Sequence, residues 1–341
     1  LAPNILPLLL LKFVFSDIAR LRSFLFLIAL CLYAFFSSPT PDNPGWVEAV
    51  IGGMFVLCVG VSGVLSAMQF DLRQPLWFTA GQAVLIYGVG VSLILGVAQG
   101  HELSLIARDL FPFLFMMMPV LLYRLYVEKP SFFKYALVGV LIIGAVFSVR
   151  GLADITGSIM ALFVRFQAGE LAYFANAPTV LFSALVIFGL GAQYFIERFG
   201  LRSGLIFVLR TLAAGALLLP VVMTVQRASL SYAVLYLIVV LVIAFYKRPL
   251  VGSIIFGVLF ALCLPFFGLL VELLDTFAQK TNLVGFNRRF DEVIAVWEAI
   301  SASPLNLVFG LGWGGTFESP AVAEMPVGYT HSLLSSMLLK G

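Results

Sequence analysis

Uninterrupted apolar runs of about 18–25 residues recur along the whole chain, and they constrain its fold more than any other feature. A helix of ~20 residues crosses the ~30 Å of hydrocarbon in a bilayer. A spanning β-barrel would instead show alternating segments of ~10 residues, which the sequence does not contain. Only 11% of the 341 residues are charged, against about a quarter in soluble domains. The sequence therefore predicts an all-α, polytopic helical membrane protein.

Ten apolar segments are predicted, and most of them are joined by short connections. They are residues 21–38, 47–68, 75–97, 103–126, 132–149, 178–196, 204–225, 228–246, 250–273 and a last segment that begins near His331. We expect one transmembrane domain over residues 1–341, as a fragment of a longer chain with at least one further helix. The sequence shows no internal repeat and no soluble domain.

The connections alternate in charge, which predicts the orientation of the chain. Short basic connections follow every second segment, and acidic or polar turns, such as residues 39–45 and 99–102, lie between them. Because basic residues are enriched on the cytoplasmic side, the N-terminus is predicted to be cytoplasmic. Two connections, residues 150–179 and 272–330, are too long for turns and fall outside. Long loops on a rigid helical scaffold commonly carry function.

Seven of the twenty Lys and Arg residues fall on the side that this bias marks as outside. The other thirteen, Lys340 and Arg210 among them, are in segments assigned to the cytoplasm. An excess of outward basic residues beside lipid indicates a bound anion. The seven are Arg108, Arg150, Arg165, Arg227, Lys280, Arg288 and Arg289.

Residues 287–303, in the second loop, are predicted to form a helix that lies along the membrane surface and ends before Pro304. Its acidic first turn suits the helix dipole. The structural interpretation is an amphipathic packing helix. In the functional interpretation, Arg288 and Arg289 lie at its N-terminus, where free backbone N–H groups bind anions. The first loop has a weaker counterpart around Arg165. The apolar residues that share one helical face are Phe290, Val293, Ile294 and Trp297.

Arg227 and His331 are the strongest single candidates for chemistry. Arg227 begins a long apolar helix from the outside, where an isolated arginine would simply reach the headgroups. Three observations favour phosphate binding instead: Arg227 lies on the outer side, small residues follow it, and Arg288 and Arg289 are predicted on the same side. A guanidinium binds phosphate through two parallel hydrogen bonds. His331 ends the second loop and is either an interfacial histidine or a group that accepts a proton from a hydroxyl. The second histidine, His101, is expected to be simply exposed.

The remaining motifs receive structural interpretations. Residues 310–315, Gly-Leu-Gly-Trp-Gly-Gly, follow no βαβ unit and lack a Lys-Ser/Thr pair, so nucleotide binding is rejected. Their glycines are expected to permit tight turns or close backbone approach. Arg108 and Asp109 are interpreted as a buried ion pair with a structural role. We predict no metal site, no cofactor and no nucleic-acid partner.

Motifs over residues 225–341 together resemble the O-antigen ligase and O-antigen polymerase superfamily. Residues 226–228, Gln-Arg-Ala, resemble its Ser-Arg-Gly/Ala motif, and Arg289-Phe290 with residues 297–314 resembles its second block. Residues 329–332, Tyr-Thr-His-Ser, followed by Lys340-Gly341, resemble its His-Asn block and the next helix. Ser332 stands where the family usually has Asn, and Trp297 lies farther from Arg289 than in many members. Residues 175–178, Ala-Asn-Ala-Pro, are similar to a family turn before a span.

The resemblance implies transfer of a glycan from an undecaprenyl diphosphate carrier to an acceptor hydroxyl, without a metal, at the periplasmic face of the bacterial inner membrane. It implies that Arg227 and Arg289 contact the diphosphate, that Arg288 and Arg165 contribute less, and that His331 activates the acceptor. The expected type is an O-antigen ligase acting on lipid A–core.

Two alternatives to the ligase remain open. A polymerase of the same family would join one lipid-linked repeat to another. A non-enzymatic flippase or transporter would only hold the anion in transit, surrounded by membrane lipids. Transporters usually carry ionisable groups near midspan and broken or repeated helices. The charges predicted here cluster at the outer surface, which favours an enzyme.

Overall fold

The computed structural model describes residues 17–39, 45–156, 173–264, 268, 288–320, 325–330 and 332–341. Within these ranges, seven helices are long and apolar enough to cross a membrane. Two three-residue strands form the one small antiparallel sheet of the described residues. The chain is therefore an all-α, polytopic membrane protein, and the predicted fold class is confirmed.

The helices follow the predicted segments closely at most positions. In chain order they are α1 (Ile18–Phe36), α2 (Trp46–Met68), α3 (Leu76–Ala98), α4 (Leu103–Met116), α5 (Met118–Leu121), α6 (Tyr123–Glu128), α7 (Phe132–Thr156), α8 (Pro178–Glu197), α9 (Leu201–Met223), α10 (Arg227–Lys247), α11 (Pro249–Cys263), α12 (Arg288–Ser301), α13 (Pro304–Phe309) and α14 (Leu333–Lys340). The strands are β1 (Phe317–Ser319) and β2 (Met325–Val327). The seven spans are α1, α2, α3, α7, α8, α9 and α10.

Local chemistry explains several helix ends. Asp17 caps α1, because its carboxylate accepts from the backbone N–H of Arg20 at 3.1 Å. Pro178 is the first residue of α8, where its missing N–H costs nothing, and the turn predicted before this span is present. The start of the first long loop was predicted wrongly, because α7 continues past Arg150 to Thr156.

The predicted segment 103–126 is not one continuous helix. It is divided into α4, α5 and α6, with breaks at Met117 and Leu122. Pro119 lies in the first turn of α5, and a proline ring excludes the carbonyl of the turn before it from regular helix. The last predicted segment appears as α14, which begins at Leu333.

The chain divides into two compact units. Unit 1 comprises Leu1–Leu57 and Ser131–Lys280, and unit 2 comprises Cys58–Pro130 and Thr281–Gly341. The core of unit 1 lies between α8, α9, α10 and α11, where the rings of Phe195 and Phe207 stack 5.6 Å apart. The core of unit 2 includes Phe78, Phe113 and Trp313.

Helix α12 forms where it was predicted, but a different face packs against the protein. Val296 and Ile300 are buried, and Val296 packs with Phe317 of β1 and Leu339 of α14. The face selected from the sequence is exposed, so it does not pack on the described protein. Its residues are Phe290, Val293, Ile294 and Trp297.

Candidate functional site

Arg227 is the first residue of α10, as the sequence predicts. The chain turns into this helix at Val225, which has a positive φ of 49°. The N-cap residue Gln226 makes no side-chain hydrogen bond to the first turn. The Arg227 side chain is partly buried. The backbone carbonyl of Arg227 accepts a hydrogen bond from the Ser231 hydroxyl at 2.9 Å. A guanidinium at a helix start without a side-chain cap can act on an anion together with the first-turn N–H groups.

The other predicted site residues are described in part or not at all. Arg288 and Arg289 are the first two residues of α12, as predicted, but their side chains lie outside the described part of the chain. Arg165 and His331 lie outside the described residues. Arg165 and Arg227 belong to unit 1, and the other three belong to unit 2. A joint site formed by these residues stays a prediction.

The residues on either side of position 331 form a small hydroxyl network. The Thr330 hydroxyl donates to the carbonyl oxygen of Ser332 at 2.6 Å, and the Ser335 hydroxyl donates to the Thr330 hydroxyl at 2.8 Å. Ser332 is the N-cap residue of α14. The backbone around the predicted catalytic position is therefore tied to the first turn of a helix.

Asp109 and Lys340 form a nearly buried ion pair that was not predicted from the sequence. The Asp109 carboxylate oxygen Oδ2 lies 2.5 Å from Lys340 Nζ and also accepts from the backbone N–H of Gly314 at 3.0 Å. Lys340 Nζ donates to the carbonyl oxygen of Gly315 at 2.6 Å. The side chains of Lys340 and Asp109 are only 4% and 10% exposed. The pair therefore fastens the end of α14 to α4. It also fastens residues 310–315, which we call the glycine-rich stretch, to α4.

This ion pair bears on two predictions. Arg108 was expected to form a buried ion pair with Asp109, and its Nε does lie 3.6 Å from Oδ1, within ion-pair distance but beyond hydrogen-bond distance. The Arg108 side chain is 51% exposed, so the pair is not buried on that side. Lys340 was assigned to the cytoplasmic group, but it contacts Asp109 and Gly315, which the charge bias places outside. We define the Asp109 cluster as Arg108, Asp109, Lys340 and the backbone of Gly314 and Gly315.

Opposing effects act on the ammonium group of Lys340, whose helix α14 is not one of the seven spans. Burial removes the charged form from water and lowers the pKa of Lys340. The charge and the hydrogen bond of Asp109 act in the opposite direction, and the nearby charge of Arg108 lowers the pKa further. Burying one charge without its partner is costly, so each of Asp109 and Lys340 offsets the cost of burying the charge of the other.

Trp313 fixes the glycine-rich stretch against α3. A π-helical turn at Gly88–Ser92 interrupts the regular hydrogen bonding of α3. The carbonyl of Gly88 accepts from Trp313 Nε1 at 2.7 Å, and that of Ser92 accepts from the Trp313 backbone N–H at 3.0 Å. A Cβ at Gly312, where φ is 73°, would lie 2.5 Å from the backbone nitrogen of Gly96. The prediction that these glycines permit close backbone approach is confirmed.

His101 contacts the same stretch and is not simply an exposed histidine. Its Nδ1 lies 2.9 Å from the carbonyl oxygen of Trp313, and the residue is partly buried. A ring nitrogen at this distance can donate its hydrogen to a carbonyl. The expectation of plain exposure was therefore wrong, and His101 helps to hold the stretch in place.

Arg150, another member of the outside set, is used within unit 1. Its Nη1 donates to the carbonyl oxygens of Ala34 and Ser37, at 2.8 and 2.5 Å, at the end of α1. Carbonyls at a helix C-terminus have no partner inside the helix. The guanidinium carbon also lies 4.1 Å from the centroid of the Phe174 ring. These contacts give Arg150 a structural role.

Within the described ranges, no group of three or more His, Cys, Asp or Glu side chains could hold a metal ion. In comparisons with protein-family models, curated proteins and solved structures, no match to this chain was found. A functional assignment therefore depends on the residues and contacts of the chain itself.

Proposed function

We propose that this membrane protein transfers a glycan from an undecaprenyl diphosphate carrier to an acceptor hydroxyl, at the periplasmic face of a bacterial inner membrane. One observation carries the proposal: α10 and α12 both begin with arginine, at Arg227 and at Arg288 and Arg289. The charge bias assigns both positions to the outside. The partial positive charge and free N–H groups of a helix N-terminus add to a guanidinium in binding phosphate.

The proposed reaction is a substitution at the anomeric carbon of the donor sugar. The acceptor oxygen forms a bond to this carbon while the bond from the carbon to the diphosphate oxygen breaks, and the electron pair leaves with the diphosphate. Arg227 and Arg289 stabilise the charge that accumulates on the leaving group. His331 accepts the proton of the acceptor hydroxyl. The resemblance over residues 225–341 supports this assignment of roles.

The acceptor distinguishes the two enzymatic alternatives. Purified protein in liposomes would be supplied with lipid-linked repeat units, with and without lipid A–core, and the products would be sized. We expect glycan on lipid A–core, which is the ligase activity. A ladder of longer lipid-linked glycans without lipid A–core would identify a polymerase. Unchanged substrates under both conditions, with folded protein, would contradict the proposed transfer.

Three structural features favour the transporter alternative more than the sequence did. Arg210 lies about 14 Å along α9 from its start, well inside the span, and its Nη1 donates to the carbonyl of Leu190 in α8 at 2.9 Å. It was grouped with the cytoplasmic residues, but it lies in a helix that is long and apolar enough to cross a membrane. A π-helical turn interrupts α3, and the segment after it is divided into α4, α5 and α6. Charges inside spans and interrupted helices are typical of transporters.

The same liposomes test this alternative. A fluorescent lipid-linked glycan that crosses the bilayer in the presence of the protein, without any new covalent product, would identify a transporter. Transfer product without accelerated crossing would support the enzyme.

A further inference from the structure

Arg108 carries a charge that the Asp109 cluster does not balance. Among the described residues, its one ion-pair partner is Asp109, at 3.6 Å from Nε. That carboxylate is already paired with Lys340 at the much shorter distance of 2.5 Å. Two cations therefore share one anion, and the group keeps one net positive charge. A positive charge that is only partly compensated can bind an anion.

The guanidinium of Arg108 is also accessible. Its side chain is 51% exposed, against 4% for Lys340. A Cβ at Gly328 would lie only 2.4 Å from Arg108 Nη2, so this glycine leaves room for the guanidinium beside the segment that precedes position 331. Arg108 lies about 8 Å along α4 from its start at Leu103, on the side that the charge bias marks as outside. A residue near the start of an outward-facing helix lies close to the phosphate layer of the outer leaflet.

We propose that Arg108 binds the phosphate of a lipid in the outer leaflet, as an anion site in addition to the predicted arginines at the starts of α10 and α12. A guanidinium binds two oxygens of one phosphate through parallel hydrogen bonds. Lys340 enables this, because it takes the carboxylate that would otherwise compete for Arg108. The choice of polyprenyl diphosphate as the ligand rests on the proposed function. The anion site itself does not.

Two lipids carry this chemistry in such a membrane, and the test separates them. Undecaprenyl diphosphate represents the carrier, and phosphatidylglycerol represents an ordinary anionic headgroup. Binding of each would be measured on the purified full chain in nanodiscs of neutral lipid, for the wild type and for Arg108→Gln.

Arg124→Gln is the matched control for this test. Arg124 is in the same unit and is 53% exposed, almost the same as Arg108. Its Nε donates to Glu128 at 2.9 Å, so Arg124, unlike Arg108, makes a direct hydrogen bond to a carboxylate of its own helix. The charge bias also places it on the cytoplasmic side. The two variants remove the same charge from equally exposed positions with different partners.

We expect Arg108→Gln to weaken undecaprenyl diphosphate binding about 10- to 100-fold, the usual effect of losing charge-assisted hydrogen bonds, and Arg124→Gln to leave it unchanged. Loss of affinity for undecaprenyl diphosphate alone identifies the carrier as the ligand. An equal loss for both lipids identifies a general lipid-phosphate site. Affinities for both lipids equal to those of Arg124→Gln would overturn the proposal.

A second variant covers the case in which Arg108→Gln does not fold. Gly328→Ala keeps every charge but crowds Nη2, which must move because it ends a flexible side chain. We expect a smaller loss of affinity, and unchanged affinity would overturn the proposal. The glycan-transfer assay gives a separate result: Arg108-dependent binding without any transfer refutes the proposed function alone. Transfer with Arg108-independent binding refutes the anion site alone.

Discussion

Arg150 in unit 1 and Arg108 in unit 2 have the same sequence signature, an arginine near the outer end of an apolar helix, but their surroundings differ. Arg150 donates to two carbonyls at the end of α1 and lies over Phe174. In the part of the chain that the structure describes, the ion-pair partner of Arg108 is Asp109 at 3.6 Å, a carboxylate that Lys340 already neutralises at 2.5 Å. An outward arginine therefore indicates an anion site only where the protein itself does not use the guanidinium. The partners that the tertiary structure supplies decide between the two roles.

The largest effect is expected for Lys340→Met, which removes the cation that pairs most closely with the Asp109 carboxylate. Breaking a buried ion pair by deleting one partner costs about 3–5 kcal/mol, so the free energy of unfolding should fall by this amount. Denaturant unfolding of the purified protein in detergent measures it. Adding Asp109→Asn to Lys340→Met should restore much of the stability, because a neutral carboxamide needs no cation. Wild-type stability of Lys340→Met would show that the pair does not fasten unit 2.

Arg227 tests whether an arginine at a helix start behaves as a ligand in the transfer reaction. Arg227→Ala should raise the activation free energy on the order of 2–4 kcal/mol, the usual effect of losing a preorganised donor. Arg227→Lys should also be poor, since an ammonium group lacks the bidentate geometry. Turnover at saturating donor is the measurement, and Arg124→Lys, with its charge kept, is the control. Normal turnover of both Arg227 variants would show that Arg227, like Arg150, has a structural role and does not bind the donor.

Arg150→Gln should lower stability but not anion binding. It loses two hydrogen bonds from a charged group and its cation–π contacts with Phe174 and Phe147, which together contribute about 2–3 kcal/mol to the free energy of unfolding. Phe174→Leu keeps the hydrogen bonds and should cost about 1 kcal/mol. Thermal unfolding gives the ranking, and undecaprenyl diphosphate affinity should match the wild type in both. If Arg150→Gln bound undecaprenyl diphosphate more weakly at unchanged stability, Arg150 would be an anion ligand like Arg108 and would not have a structural role.

The sidedness of both arginines can be tested with no expected effect on stability. Single cysteines at Gly157 and Ala321, in a chain freed of its native cysteines, should react with a membrane-impermeant thiol reagent in intact cells. A cysteine at Lys129 should react only after the membrane is opened. The reverse pattern would place Arg108 and Arg150 in the cytoplasm and remove the carrier diphosphate as a ligand.

Helix bounds could be predicted because their signals are local. The segment predicted at residues 178–196 is Pro178–Glu197, and the one at 47–68 is Trp46–Met68. An apolar run with polar ends and a proline at the first position fixes such a helix without help from the rest of the fold. Hydropathy does not detect a break inside an apolar run, so the division at Met117 was missed although Pro119 is visible in the sequence.

The partners of the charged side chains could not be predicted, because they come from distant parts of the chain. Asp109 and Lys340 are 231 residues apart, and the sequence indicated only the adjacent Arg108, whose ion pair with Asp109 is present but longer. The starts of α10 and α12 at Arg227 and Arg288 were predictable, since helix starts have local signals. The packed face of α12 was not, because apolar residues lie on more than one of its faces and only β1 and α14 select Val296.

The contact between Trp313 and the π-helical turn of α3 has a consequence for the biogenesis of the protein. Gly88 leaves the ribosome 225 residues before the indole that donates to its carbonyl. During that interval the carbonyls of Gly88 and Ser92 have no donor from Trp313, and an unsatisfied carbonyl in hydrocarbon costs several kcal/mol. We therefore expect α3 to enter the membrane as a regular helix and to acquire its wider turn only when the glycine-rich stretch docks. Maturation of the third span would then be a late event, completed after synthesis of the second loop.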